Sequence, residues 1–298
     1  MAYFLWPALA IALVVLGVWW VRKKTSFSGY NTHWPTPAWN KKALEDKLLL
    51  ADPWEVADWV VGRFASKDEL WPELKEVLKK SGLEGVLIAG LSGEPKQRVL
   101  AAKALGLIGG PKSLTSLVKV LGSKDEVSLE AMEAIKKLKL PECGPLLLDA
   151  LVTGKGAVPS RCAHILISLG NLVQECILKT LPQVSDPAKA VFIEILGEMK
   201  QKELLTLLAP YLKSSNSLIR QKTVQALGTI GSPSACTFLI PLLADEDWKV
   251  RAETAKVLGL LGCVEAAHDL KKLCADHIWH VQVNAKEALE ELGVSLED

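Results

Sequence analysis

From Leu83 onward, apolar residues recur three and four positions apart in short blocks, and most of the blocks close on glycine. That spacing lines one face of an α-helix. The stretch Ser232–Gly262 shows the pattern most clearly. Pro233 stands where a helix starts and a missing N–H does no harm, and Phe238, Leu239, Leu242 and Leu243 make a first stripe. Asp245-Glu246-Asp247 then offers N-cap carboxylates, and Val250, Thr254, Ala255 and Leu258 make a second stripe. Gly262 follows as a left-handed C′ residue would. Neither helix can bury its stripe alone, so two short antiparallel helices per unit must stack on the units either side.

The unit repeats. Lys103-Ala-Leu-Gly-Leu-Ile-Gly109 returns as Gln225-Ala-Leu-Gly-Thr-Ile-Gly231, as Lys256-Val-Leu-Gly-Leu-Leu-Gly262 and as Glu287-Ala-Leu-Glu-Glu-Leu-Gly293, the last three 31 residues apart. Weaker copies at 134–138, 168–172 and 195–199 fill the gap, with the register slipping there, which gives about seven units between Leu83 and the end. A fixed period in this range is the signature of a solenoid, whose usual work is to present a binding surface. Gly106, Gly197, Gly228 and Gly259 lie inside the second helix, one turn before its end. Glycine there costs about 1 kcal/mol against alanine, so the expected return is close approach of the neighbouring helix. Glu290 replaces that glycine in the last copy, as a polar cap with no successor would allow.

The stretch Asp245-Glu-Asp-Trp-Lys-Val-Arg-Ala-Glu-Thr-Ala-Lys-Val-Leu-Gly-Leu-Leu-Gly262 resembles the HEAT repeat, in the short form also found in phycobilisome bilin lyases. The resemblance covers roughly residues 83–293 and is strongest over 217–293. It implies an all-α, right-handed, armadillo-like α-solenoid. It also implies a ladder of Arg residues, each after a Val and paired with an acidic loop residue. Arg98, Arg220 and Arg251 hold ladder positions here; Lys189, Gln282 and Ser128 replace Arg, and Arg161 is off by one. The helix carrying Val-Arg resembles the one lining the concave side. On that side Trp248 and Trp279, at equivalent positions, are candidate protein-binding residues, with Lys222, Lys249, Lys256 and Lys286 beside them. Tryptophan is enriched at interface hot spots, although in such repeats it also serves simply to pack neighbours.

The N-terminal region follows a different pattern. Tyr3–Val21 is uncharged and apolar, and at 1.5 Å per residue it would span about 28 Å, close to a bilayer core. Trp6 and Trp19-Trp20 stand at its two ends and Arg22-Lys23-Lys24 follows, with no basic residue before it. Positive-inside then predicts a single-pass anchor in the cell membrane over 1–24, N-terminus outside and the remainder cytoplasmic. Residues 25–38 read as a linker and 39–81 as a helical cap, with Trp54, Ala57, Val61 and Phe64 on one face and a further helix over Asp68–Lys80. The solenoid is expected over 82–298. Trp34, Trp39, Trp54, Trp59 and Trp71 also allow a docking region near the membrane.

Charge narrows the function. From Ser81 onward there are 24 basic and 25 acidic residues, without the basic stripe that phosphate neutralisation needs, so no nucleic-acid partner is expected. The six cysteines form no Cys-x-x-Cys and read as small core residues of a reducing compartment. Cys274, His277 and His280 have ligand-like spacing, but no fourth ligand is evident and no metal is expected. There is no phosphate loop, nucleophile elbow or dinucleotide fingerprint, so neither a cofactor nor an activity is expected. The sequence therefore points to a membrane-anchored, non-catalytic scaffold for an unidentified protein partner. The alternative is a bilin-lyase-like or other HEAT-type enzyme or chaperone.

Overall fold

The computed structural model describes residues 41–64 and 72–295. The expected anchor, its basic stop at Arg22, Lys23 and Lys24, the linker, Trp34, Trp39, Trp71 and the start of the helix expected from Asp68 all lie outside the described residues. Among those described, every regular element is a helix or a 3-10 turn, and no helix is long and apolar enough to cross a membrane. The chain divides into two compact units, residues 1–113 and 114–298.

In the first unit, α1 (Lys41–Leu50), α2 (Pro53–Phe64) and α3 (Pro72–Lys80) precede a helical pair, α4 (Leu83–Gly90) and α5 (Pro95–Ile108). Helix α2 packs on α5, and α3 on α1 and α4. The buried face of α2 is Val56, Ala57, Val60 and Phe64 rather than the expected 54-57-61-64 stripe. Trp54 is half-buried because its ring lies over Gly90, at a spot where any Cβ would collide with it. A 54-57-61-64 stripe would have turned Val56 and Val60 outward. Burying those two aliphatic side chains fully rotates the helix and leaves the indole to cover a glycine. Glu84 joins the far end of this unit: its Oε1 accepts from the Gly110 N–H at 3.2 Å and from Ser113 Oγ at 2.6 Å.

α6 (Pro111–Val120) crosses the division. The second unit then runs α7 (Val127–Leu138), α8 (Cys143–Thr153), α9 (Val158–Leu169), α10 (Asn171–Thr180), α11 (Asp186–Glu198), α12 (Leu204–Leu208), α13 (Ser217–Ile230), α14 (Cys236–Leu239), α15 (Trp248–Leu260), α16 (Ala267–Leu273) and α17 (Trp279–Glu291). The helices α11, α13, α15 and α17 lie side by side as one row, and α12, α14 and α16 pack behind them. The expected caps Asp247 and Gly262 are in place, and Asn216 adds another. Asn216 and Asp247 accept from the backbone N–H two residues on, at 3.0 and 2.8 Å, and Gly231, Gly262 and Gly293 have φ of 73°, 71° and 68°. The first helix of the Ser232–Gly262 unit is not continuous. It is a 3-10 turn, α14, and a second 3-10 turn over Ile240–Ala244. Pro241 causes the break, because it has no N–H to donate back along the helix. Pro210 does the same 31 residues earlier, where α12 passes into a 3-10 turn over Ala209–Lys213.

The helical glycines are contact points. A Cβ on Gly197 would come within 2.7 Å of the Ala226 Cα, one on Gly228 within 2.8 Å of Val257 Cγ1, and one on Gly259 within 2.7 Å of the Ala288 Cα. Each second helix thus presses a bare backbone against the next. Glu290, at the position of Gly259, is exposed.

Two rungs of the ladder are formed at Arg220 and Arg251. Arg220 donates to both Asp245 oxygens at 2.8 Å and, through Nη1, to the Ser214 carbonyl at 2.8 Å. Arg251 repeats this with Asp276 at 2.8 and 3.1 Å and the Asp245 carbonyl at 2.8 Å. In the last unit Gln282 keeps only the carbonyl half, donating to Asp276 O. Elsewhere Arg98 Nε donates to Leu91 O at 3.0 Å, Lys189 pairs with Asp186 at 3.5 Å, and Ser128 donates to Asp125 O. Arg161 bonds the carbonyls of Leu121 and Ser123. A second ladder was not foreseen: Asn216 Nδ2 donates to Asp186 at 2.8 Å, and Ser217 to Asp247, one unit to the next.

One expectation is overturned. The cysteines do not all stand as free core residues: Cys236 and Cys263 are joined in a disulfide, with Cα atoms 5.8 Å apart. Cys143, Cys162, Cys176 and Cys274 are free.

Two outcomes follow from this packing. Gly259→Leu should destabilise the fold by about 1–3 kcal/mol through overpacking, whereas Glu290→Leu should cost far less; chemical unfolding of both variants measures this, and equal costs would refute the terminal-cap reading. Burial alone would raise the Asp276 carboxyl, but hydrogen bonds from Arg251 and the Ile278 N–H hold it below the usual carboxylate range. A depressed folded-state value means this stabilisation is present above about pH 4 and is lost as pH falls through the lower value. Arg251→Ala, which strands a carboxylate only 6% exposed, should cost about 3–5 kcal/mol at neutral pH, with the deficit shrinking as acid protonates Asp276.

Candidate functional site

The packing of the second-helix row consumes one face of each helix and leaves another open. In the 31-residue register the open positions fall into lines: Val191, Lys222, Glu253 and Asn284; Glu194, Gln225, Lys256 and Glu287; Glu198, Thr229, Leu260 and Glu291. A shallow hollow of about 350 Å³ lies over α11, α13 and α15, walled by Glu194, Glu198, Lys222, Glu253, Lys256 and Leu260, with Gly228 and Ala226 among its lining residues. The close approach at Gly228 keeps large side chains out of that part of the hollow. Lys222 Nζ pairs with Glu194 across units at 3.1 Å. Asn284 Nδ2 donates to the Ala252 carbonyl at 2.9 Å.

Aromatic groups gather at the N-terminal edge of the row. Trp248 and Trp279 open α15 and α17 and are 36% and 66% exposed. His280 sits between them, its ring centroid 5.5 Å from Trp248 and 5.1 Å from Trp279. Lys249 Nζ lies 5.8 Å from the Trp248 ring, a cation–π distance. The imidazole contacts both indoles, and all three rings remain open to solvent.

Of the candidate residues, Trp248, Trp279 and Lys249 come together at this edge, and Lys222 and Lys256 line the hollow. Lys286 does not join them. It occupies the position of the buried Ala255, where a further unit would pack, and so lies exposed on the terminal face with Glu290. Sequence reasoning missed His280, Glu194 and Glu253. Their period-31 partners Lys249, Gln225 and Lys222 gave the signal, since every open position in one unit predicts its equivalents. Cys274, His277 and His280 each turn to separate partners: the Leu270 carbonyl, Asp276 and the two indoles. Among the described residues no three metal-ligating side chains converge.

Comparison with known proteins agrees with the repeat. Residues 177–247 and 237–297 match the family of HEAT repeats. This part of the chain is therefore built of HEAT repeats. No curated protein matches. Similar solved structures include an engineered protein from a structural genomics consortium, at 18% identity and TM-score 0.37 over 85% of this chain and 79% of that one. Human deoxyhypusine hydroxylase in complex with glycerol is similar at 17% identity and TM-score 0.36, over 81% of this chain and 97% of that one. A designed armadillo repeat protein in complex with the peptide (KR)4 is similar at 18% identity and TM-score 0.38, over 81% and 100%. At these scores none of the three bears on what this chain binds.

Proposed function

We propose that this chain is a non-catalytic repeat scaffold, tethered to a membrane through residues 3–21, that captures a protein partner on the open edge and face of its second-helix row. The observation that carries the proposal is the pair Trp248 and Trp279, both in contact with His280 and exposed at equivalent positions while the core of the same helices is packed. An exposed indole offers a large contact area with few rotors to immobilise, as interface anchors do. Lys249, Lys222 and Lys256, with Glu253 and Glu198 between them, supply a polar surround of mixed sign that would select a partner by register more than by net charge. The tether would hold this surface near other membrane components and raise its effective concentration there.

The test uses the full chain in detergent extract. Proteins retained by the wild type should be lost from a Trp248→Ala, Trp279→Ala double variant, while its unfolding midpoint stays close to that of the wild type. Loss of stability in parallel with loss of capture would show that the two tryptophans are packing residues. Recovery of the protein in the soluble fraction without detergent would refute the tether. Visible absorbance in the purified chain would favour a chromophore-handling lyase instead.

A further inference from the structure

The disulfide occupies positions that the other repeats fill differently. Cys236 opens α14, and its equivalents one unit away are Leu205 and Ala267. Cys263 is the first residue after Gly262, and its equivalents are Ser232 and Val294. As simple core filler, either position accepts an aliphatic or hydroxyl residue, and in neighbouring units it has one. Among the described repeats, only this pair of positions carries cysteine at both, with Cα atoms 5.8 Å apart, inside the range a disulfide spans without backbone movement. The bond ties the first helix of one unit to the start of the next, closing a 27-residue separation that contains all of α15 and Trp248.

We propose that Cys236–Cys263 is a lasting structural disulfide, formed in an oxidising compartment, and that the repeat domain therefore resides on the oxidising side of its membrane. This reverses the orientation expected from Arg22, Lys23 and Lys24; it rests on the tether in the proposed function but not on the partner surface. Burial supports it. The two residues are only 7% and 1% exposed, so an attacking thiolate cannot reach either sulfur without local unfolding. Disulfides that are made and broken in reducing compartments are typically transient and catalytic or redox-sensing, which requires access. The remaining thiols suit the same setting. Burial pushes the Cys162 thiol up to about 11 and raises those of Cys143, Cys176 and Cys274. They stay protonated and slow to oxidise while one matched pair is joined. Formation removes two protons and two electrons from the pair and makes one S–S bond. The electrons pass to a thiol–disulfide oxidant of the compartment, whose own disulfide is reduced to two thiols.

The test counts free thiols in the full chain, in its own cells, quenched in acid, denatured and alkylated before any reduction. Folding of a variant is then no concern. The wild type should take four alkyl groups, and six after reduction. Cys236→Ser should take five without reduction, because Cys263 loses its partner. Six groups on the unreduced wild type would overturn the proposal and restore the reducing side. Alkylation of Cys236 or Cys263 among the four groups on the unreduced wild type, read by peptide mapping, would also overturn it, by showing that a different pair is oxidised.

Discussion

The fold of the second unit depends on how closely successive second helices approach. At Gly197, Gly228 and Gly259 the helix surface has no side chain, and the next helix lies against bare backbone through Ala226, Val257 and Ala288. A glycine in mid-helix weakens the helix that contains it. Here the loss is local and the contact it permits is shared between units, so stability arises between repeats more than within them. The Arg220–Asp245 and Arg251–Asp276 pairs are possible for the same reason. Helices set this near bring a guanidinium from one unit to the loop carboxylate of the next, almost sealed from water, with Nη1 donating to loop carbonyls and, at Arg220, Nη2 also meeting Glu246.

Close packing on one side of each helix determines what remains on the other. The buried stripe and the small-residue contact together use the positions that face neighbours, so the open lines are free to vary without cost to the core. They vary in charge from unit to unit, as Val191, Lys222, Glu253 and Asn284 show. The exception is the edge, where tryptophan recurs at 248 and 279 and His280 contacts both rings. At the last unit the packing positions themselves become surface, and Lys286 and Glu290 replace the Ala255 and Gly259 of the unit before. Both of those residues are exposed.

Much of this was legible in the sequence. The period, the cap residue Asp247, the left-handed Gly262 and the helical glycines each follow from local rules that act within one unit. The Arg–Asp pairs followed from a resemblance and are formed at Arg220 and Arg251. What escaped reading was set by three-dimensional competition. The rotation of α2 toward Val56 and Val60 reflects a choice between stripes that spacing alone leaves nearly equal. The breaks at Pro210 and Pro241 were visible as prolines, yet apolar periodicity continues through them and conceals the change to 3-10 geometry. Lys286 was grouped with three other lysines because it shares their helix type, whereas its side chain turns to the terminal face. The Cys236–Cys263 bond joins residues from different units, a pairing that no spacing rule within one unit can show.

The most direct test of the close-approach account is a double-mutant cycle across one contact. Gly228→Ala places a methyl group where Val257 stands, and Val257→Ala removes the two methyls it would meet. If the helices touch there, each single change destabilises and the pair costs less than the sum, with a coupling of at least about 0.5 kcal/mol in chemical unfolding. Additive costs, within about 0.3 kcal/mol, would mean that the two residues do not press on each other and would contradict the packing on which the rest of the account depends.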